Sequence, residues 1–151
     1  ARTAYEDFHN QAHIVLGSNG NNIDAIISFY EKYYPNAKIS LCLSTESESM
    51  KLFCNSFYAA KVQIFNEFFL LCQKLNINYD HVKDMMLIND WINPMHTNVP
   101  GPDGKLSFGG DCFPKDISAL ISFMNKLNSE NKVLKAVKEE RDQMRNNLKV
   151  G

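Results

Sequence analysis

Residues 44–75 form an unusually uninterrupted stretch, S-T-E-S-E-S-M-K-L-F-C-N-S-F-Y-A-A-K-V-Q-I-F-N-E-F-F-L-L-C-Q-K-L. No proline or glycine occurs anywhere between Pro35 and Pro94, and these are the two residues that most often break a helix. Ser44 or Thr45 can cap a helix at its start, and Asn76 can end it. We therefore predict one very long helix from residue 44 to about residue 75.

The second half of this helix, I-F-N-E-F-F-L-L-C, is apolar on nearly every face. A helix of this kind is either buried in a core or shared between subunits. A shorter helix is predicted from Asp80 to Ile88, then a loop over residues 89–113. Two further helices are predicted over 114–128 and 129–147, and the charged run at 138–142 indicates a solvated face.

The segment before the long helix has a different character. His13–Leu16 is typical of a short strand that a Gly/Ser/Asn turn ends, residues 22–34 carry apolar side chains at helical spacing, and residues 39–43 predict a second strand. Strand–helix–strand is the terminal part of an α/β sheet. No G-x-G-x-x-G turn follows either strand, so the dinucleotide-binding fingerprint is absent.

Bulk composition excludes several classes of protein. The chain has 151 residues, 44% of them hydrophobic and 22% charged, with a net charge of −1. Such a balance draws a protein neither to nucleic acid nor to a membrane surface. The four cysteines lack metal-ligand spacing, so we expect no metal site, free thiols and a cytoplasmic location.

Residues 106–116, L-S-F-G-G-D-C-F-P-K-D, place one cysteine at a predicted loop–helix junction. The two glycines allow close approach of the backbone to a ligand, and Pro114 suits the first turn of a helix. Free N–H groups and the helix dipole favour a thiolate there. On these residues alone, Cys112 can equally be a nucleophile or a structural cysteine in a turn.

A second motif, K-L-F-C-N-S-F-Y-A-A-K-V, places Lys51 and Asn55 on one face of the long helix. Taken together, the two motifs resemble the nucleotide-sugar 6-dehydrogenases of the UDP-glucose/GDP-mannose dehydrogenase family. The resemblance covers essentially the whole chain, and residues 2–8, R-T-A-Y-E-D-F, are similar to the segment that follows the family's catalytic glutamate. It implies that the catalytic residues are Cys112, Lys51, Asn55 and Asp116.

The resemblance implies a fold that is mainly α. A helical central domain with one very long helix, residues 44–151, would follow a strand–helix–strand remnant of a Rossmann-like, NAD-binding α/β domain, residues 1–43. It also implies oxidation of UDP-glucose to UDP-glucuronate by two NAD molecules, through a thiohemiacetal and a thioester on Cys112. Lys51 would stabilise an oxyanion, while Asn55 and Asp116 would hold a water molecule and assist proton transfer.

Binding residues are implied in the same way. Lys115 matches a position for a cofactor contact or for balancing local charge. The positions implied to bind substrate are Lys51, Asn55, Lys105, Phe108 and Gly109. Two departures from the family pattern bear on substrate identity: Trp91 stands where an arginine is usual, and Ser107 stands where glycine is usual.

Three expectations about partners follow from the resemblance. The segment is expected not to bind NAD or to act as a dehydrogenase by itself, because most of the family's first domain and its third domain would lie outside it. A UDP-sugar substrate and a homodimer through the long helix are expected, with no nucleic-acid or membrane partner. GDP-mannose or another UDP-sugar is the alternative substrate, and a helical dimerisation module without a catalytic role is the alternative of another class.

Overall fold

The structure, a computed structural model, describes residues 3–20 and 23–147. Two compact units divide the chain, Ala1–Lys51 and Leu52–Gly151, and the predicted domain boundary between residues 43 and 44 stays a prediction. Among the described residues, no helix is both long enough and apolar enough to span a membrane. The elements in order are α1 (Ala4–His9), β1 (His13–Gly17), α2 (Asp24–Tyr33), β2 (Lys38–Cys42), α3 (Ser44–Leu75), α4 (Tyr79–Leu87), α5 (Cys112–Lys126) and α6 (Lys132–Asn147).

The first unit contains the predicted strand–helix–strand. Strands β1 and β2 pair in parallel, with His13 opposite Lys38 and Gly17 opposite Cys42, and α2 is the crossover between them. The mainly α fold class is confirmed. Helix α1 is an addition to the predicted elements, because no helix was predicted before β1. Thr3 precedes this helix and donates to the Asp7 carboxylate at 2.7 Å, and a helix of six residues is too short to show a repeated apolar pattern.

The long helix begins where it was predicted to begin, but a different residue caps its N-terminus. Ser44 is its first residue, and the side chain of Glu46 reaches back to accept from the Leu43 N–H at 2.7 Å. The Ser44 N–H donates to Asn19 Oδ1 at 3.1 Å. The start is therefore fixed by the returning bond of a capping box rather than by a Ser44 or Thr45 hydroxyl.

The predicted end of α3 is confirmed at Leu75. Asn76 follows in the left-handed region, with φ 54°. Its N–H donates to Gln73 O at 3.2 Å, and the Ile77 N–H donates to Cys72 O at 3.0 Å. These two bonds make a Schellman motif, which satisfies carbonyls that the helix would otherwise leave unpaired.

The second unit has two buried apolar clusters. One lies between α3, α4, α6 and the loop after α4, and its buried members are Phe65, Cys72, Tyr79, Val99, Leu106 and Met144. The other lies between α3, α5 and α6, and its buried members are Ala59, Phe108, Ile117, Ile121 and Val137. Ile117 is 0% exposed. Because Ile117 follows Asp116 directly in α5, core packing fixes the orientation of the segment that carries the candidate site.

Helices α5 and α6 occur where two helices were predicted, with shifted starts. Helix α5 begins at Cys112 and α6 at Lys132, rather than at residues 114 and 129. Pro114 is thus the third residue of α5, where its missing N–H is still no loss because the first-turn N–H groups have no helical acceptor. Consequently Cys112 itself is the first residue of the helix.

Candidate active site

Cys112 lies at the N-terminus of α5, with an exposed side chain. Asp111 precedes it as the N-cap residue but makes no side-chain cap hydrogen bond. Gly110 has φ +69°, a left-handed conformation that a residue with a side chain rarely adopts. The loop can therefore turn sharply into α5, and this turn presents the thiol at the surface of the second unit.

Asn55 and Asp116 are brought together although 61 residues separate them in the sequence. The Asn55 side-chain amide of α3 donates to Asp116 Oδ2 of α5 at 2.6 Å. Asp116 is 3% exposed, and its other oxygen accepts from the Lys115 ammonium. Two donors therefore fix the orientation of a buried carboxylate one helical turn from Cys112.

Lys115 is a partner of this carboxylate. The hydrogen bond from Lys115 to Asp116 raises the pKa of the ammonium, with further contributions from attraction to Asp116 and Cys112, while desolvation acts in the opposite direction. Its cation is thus favoured beside the Cys112 thiol. The roles predicted for Lys115, in balancing local charge or in contacting a cofactor, stay predictions.

Lys51 and Lys105 are not brought into this group of contacts. Lys51 is exposed on α3 and belongs to the first compact unit, whereas Asn55, Cys112 and Asp116 belong to the second. Lys105 is exposed in the loop before α5. The roles predicted for both lysines stay predictions.

Phe108 and Gly109 lie in the loop that leads to Cys112, and their surroundings limit what they can contact. The Phe108 side chain is buried in the cluster around Ile117, and its carbonyl accepts from Arg141 Nε at 3.2 Å. A Cβ on Gly109 would lie 2.7 Å from Arg145 Nη2. A substrate could therefore contact residues 108 and 109 only through their backbone atoms.

Ser107, which replaces the usual glycine, has the left-handed φ of 60°. A side chain in that conformation carries strain, and here it is offset by hydrogen bonds. The Ser107 hydroxyl donates to Gln63 Oε1 at 2.5 Å, and its N–H donates to Asn66 Oδ1 at 2.7 Å. Both partners are buried on α3, so the serine fastens the loop to the long helix.

Sequence reasoning missed four of the side chains that hold this loop, namely Gln63, Asn66, Arg141 and Arg145. The first two are polar residues inside an otherwise apolar half of α3, which is a usable signal for a buried hydrogen bond. The charged run at 138–142 was predicted to be a solvated face, and Arg141 corrects this, because it bonds to Phe108 O and lies over the Phe108 ring.

An open groove of about 430 Å³ is lined by α3 and by the segment after α4. Trp91, 89% exposed, is among its lining residues. Lys61 lines it too and donates to the Asn93 carbonyl, and burial lowers the pKa of the Lys61 ammonium. Among residues 3–20 and 23–147, no cluster of three or more His, Cys, Asp or Glu side chains could hold a metal ion.

A ring cluster stands beside the residue that follows Cys112. His96 contacts the rings of Tyr58 and Phe113, at centroid distances of 4.9 Å and 5.3 Å. Burial lowers the pKa of the His96 imidazole, and the charge of Lys61 lowers it further. The neutral ring therefore packs here as an apolar partner of Phe113, and we assign it no chemistry.

Comparisons with known proteins agree on one family. Residues 45–142 match the model of the UDP-glucose/GDP-mannose dehydrogenase family, central domain. The chain is 32% identical over 146 residues to the UDP-glucose 6-dehydrogenase of Rickettsia conorii, covering 97% of this chain and 33% of the relative. It is 33% identical over 150 residues to the enzyme of that name from Rickettsia felis, covering 97% and 32%.

A solved structure gives the same result. A UDP-glucose dehydrogenase from the hyperthermophilic archaeon Pyrobaculum islandicum superimposes with a TM-score of 0.77 at 30% identity, over 92% of this chain and 31% of that one. The chain thus spans about a third of the length of the relatives that it matches. It belongs to the UDP-glucose/GDP-mannose dehydrogenase family, and residues 45–142 are its central domain.

Proposed function

We propose that this chain supplies the nucleophile of a nucleotide-sugar 6-dehydrogenase that oxidises UDP-glucose to UDP-glucuronate in two NAD-dependent steps. The observation that carries the proposal is the hydrogen bond between Asn55 and Asp116, one helical turn from Cys112. This bond joins Asn55 of α3 to Asp116 of α5, two residues that the family resemblance implies to be catalytic and that lie far apart in the sequence. The names of the relatives support UDP-glucose as the substrate.

Cys112 would act at the aldehyde stage of the reaction. Its thiolate adds to the C6 carbonyl carbon and forms a C–S bond, and the carbonyl oxygen takes up a proton to give a thiohemiacetal. Loss of the C6 hydrogen as hydride and of the hydroxyl proton converts this adduct to a thioester. Water then adds to the thioester carbonyl, the C–S bond breaks, and the thiolate leaves as the uronate forms.

Asn55 and Asp116 would serve the hydrolytic step. Asp116 is buried and held by two donors, so its orientation is fixed before a substrate arrives. A carboxylate held in this way can accept a proton from an attacking water, and the neighbouring amide can hold that water or the C6 oxygen. Lys115 would keep the negative charge of the carboxylate and of the nearby thiolate balanced.

NAD would be the hydride acceptor in both oxidations, but the described residues of the first unit do not fit a dinucleotide site. The turn after β1 lacks the G-x-G-x-x-G pattern. A Cβ on Gly17 would lie 2.2 Å from Ser47 Oγ, so the absence of a side chain at this glycine serves close packing against α3 rather than the approach of a pyrophosphate. We therefore assign no cofactor contact to residues 3–20 and 23–51 and expect no NAD reduction by this chain alone.

Thiol reactivity tests the proposed nucleophile directly in this chain. Cys112 and Cys54 are both exposed, Cys42 is half-buried and Cys72 is buried. A thiol at a helix N-terminus next to a lysine reacts faster than an ordinary exposed one. We expect iodoacetamide to alkylate Cys112 at least about tenfold faster than Cys54 near neutral pH, measured by peptide mass spectrometry over time. Equal rates at these two matched thiols would count against a catalytic Cys112.

A homodimer through the long helix is the second part of the proposal. Exposed apolar side chains follow one face of α3 at alternating spacings of three, four and seven residues: Phe53, Phe57, Ile64, Phe68, Leu71 and Leu75. A stripe with this spacing is typical of helices that pair.

The four free cysteines support a reducing compartment, and we propose the cytoplasm.

Sedimentation tests this pairing. We expect the chain to sediment as a dimer, and Ile64→Asp to sediment as a monomer, because a charge would then lie in the middle of the apolar stripe. Met85→Asp is the matched control, since Met85 is a similarly exposed apolar residue on α4. A wild-type chain that stays monomeric at high concentration would exclude pairing through α3.

A further inference from the structure

We propose that Arg141 and Arg145 of α6 are positioning residues, which fix the loop 103–109 ahead of Cys112 and thereby the direction in which the thiol is presented. The inference rests on the proposed function only in taking Cys112 as the reacting thiol. Its structural content, that two arginines hold the backbone of this loop, follows from the contacts of α6 and can be tested without any substrate.

Arg145 makes two charged contacts with the loop. Its Nη1 donates to Asp103 Oδ2 at 2.5 Å, and its Nη2 donates to the Ser107 carbonyl at 2.7 Å. The Arg145 side chain is 12% exposed and the Asp103 side chain 45% exposed, so the bond to the Ser107 carbonyl is the more buried of the two. The bond to Arg145 also holds the pKa of Asp103 below its usual range, so the carboxylate stays ionised to a lower pH than an ordinary aspartate. One guanidinium therefore ties together the two ends of the segment 103–107.

Arg141 holds the next carbonyl of the loop. Its Nε donates to Phe108 O at 3.2 Å, and its guanidinium carbon lies 5.8 Å from the centre of the Phe108 ring. The Asp142 carboxylate accepts from Arg141 Nη1 at 2.7 Å, which orients the guanidinium toward the loop. Because residues 141 and 145 lie one turn apart on α6, their side chains reach the consecutive carbonyls of residues 107 and 108.

Gly109 lies next to the Arg145 guanidinium. A Cβ there would lie 2.7 Å from Arg145 Nη2 and 2.8 Å from Nη1, which is closer than real Cβ contacts. Its φ lies outside the left-handed region, unlike that of Gly110, so backbone conformation does not require a glycine at 109. A Cβ at this position would instead displace the guanidinium from the loop, and the glycine pair before Cys112 thus has two distinct purposes.

The opposite side of the loop is held by α3, through the bonds from Ser107 to Gln63 and Asn66. Ser107 is therefore bound from two helices at once, by its side chain and N–H on one side and by its carbonyl on the other. Beyond Phe108, Gly110 provides the turn into α5. Removing the arginines should release the segment from α6, while its bonds to α3 and the core burial of Phe108 remain.

Hydrogen exchange of the chain, read by mass spectrometry, tests the proposal. In Arg145→Met, we expect amides of residues 103–110 to exchange at least about tenfold faster than in the wild-type chain, because charged hydrogen bonds are lost. Amides around Ile117 in α5 should be unchanged, which shows that the variant is folded. Lys135→Met is the matched control, since it removes an exposed positive charge from α6 that makes no side-chain contact with the loop.

Two further variants separate positioning from general stability. Arg145→Lys keeps the charge and one donor group, so partial rescue of loop protection is expected. Gly109→Ala keeps both arginines in the sequence but displaces the Arg145 guanidinium, so amides of the same segment should exchange faster. Combining Gly109→Ala with Arg145→Met should raise their exchange rates little beyond those of Arg145→Met alone. Wild-type exchange of residues 103–110 in both Arg145→Met and Gly109→Ala would overturn the proposal. Failure of the enzyme to oxidise UDP-glucose would overturn the proposed function and leave this result standing.

Discussion

Replacing Cys112 with serine should stop the proposed reaction at the aldehyde. We expect the rate of UDP-glucuronate formation by the complete enzyme to fall at least about a thousandfold, because a serine hydroxyl without a dedicated base is a weak nucleophile. The first oxidation does not use the thiol, so one NAD would still be reduced for each sugar converted to aldehyde. The measurement combines NADH absorbance with chromatography of the sugar nucleotides.

The control for this substitution is Cys54→Ser. Cys54 is also an exposed cysteine, and it lies within α3 rather than at the N-terminus of a helix. We expect that variant to retain its rate within about twofold, as is usual for surface substitutions. Normal uronate formation by Cys112→Ser would contradict the covalent mechanism. The same assay with GDP-mannose in place of UDP-glucose distinguishes the two substrates that the family allows.

Local sequence features were sufficient to predict most of the helices. Helix α3 was predictable because no proline or glycine interrupts it, and its end at Leu75 was predictable because Asn76 tolerates a left-handed conformation. Helix α1 was missed because its six residues are too few to show a repeated apolar pattern. The start of α5 was placed two residues late because proline at the third helical position is as acceptable as at the first.

The site was predictable only in part, and for a physical reason. Motif resemblance could name Asn55, Cys112 and Asp116, but it could not show that an amide 61 residues away would hold the carboxylate. The bond between Arg145 and Asp103 spans 42 residues and leaves no local pattern. A charged run on a helix is usually solvated, and only the fold of the loop decides that Arg141 and Arg145 turn toward backbone carbonyls.

Asp116→Asn should have the second largest effect, because it changes a buried group that two donors face. Asn55 and Lys115 both donate to the carboxylate, and an amide has only one oxygen to accept from them. The NH₂ group of the new asparagine would face one of these donors. One hydrogen bond would then be lost at a position that is only 3% exposed. We expect the free energy of unfolding of the chain to fall by about 1–3 kcal/mol, measured by chemical denaturation.

The same substitution should slow release of the product more than formation of the thioester. An asparagine cannot accept a proton from the attacking water, and loss of general-base assistance costs about 10²–10⁴-fold. The complete Asp116→Asn enzyme should therefore accumulate a covalent adduct on Cys112, visible as a mass increase of the intact protein during turnover. Asp111→Asn is the matched control, since Asp111 is an exposed acid that makes no side-chain cap bond. Turnover at the wild-type rate without an adduct would show that Asp116 only holds α5 against α3, whereas an adduct in Asp116→Asn alone would place it in the hydrolytic step.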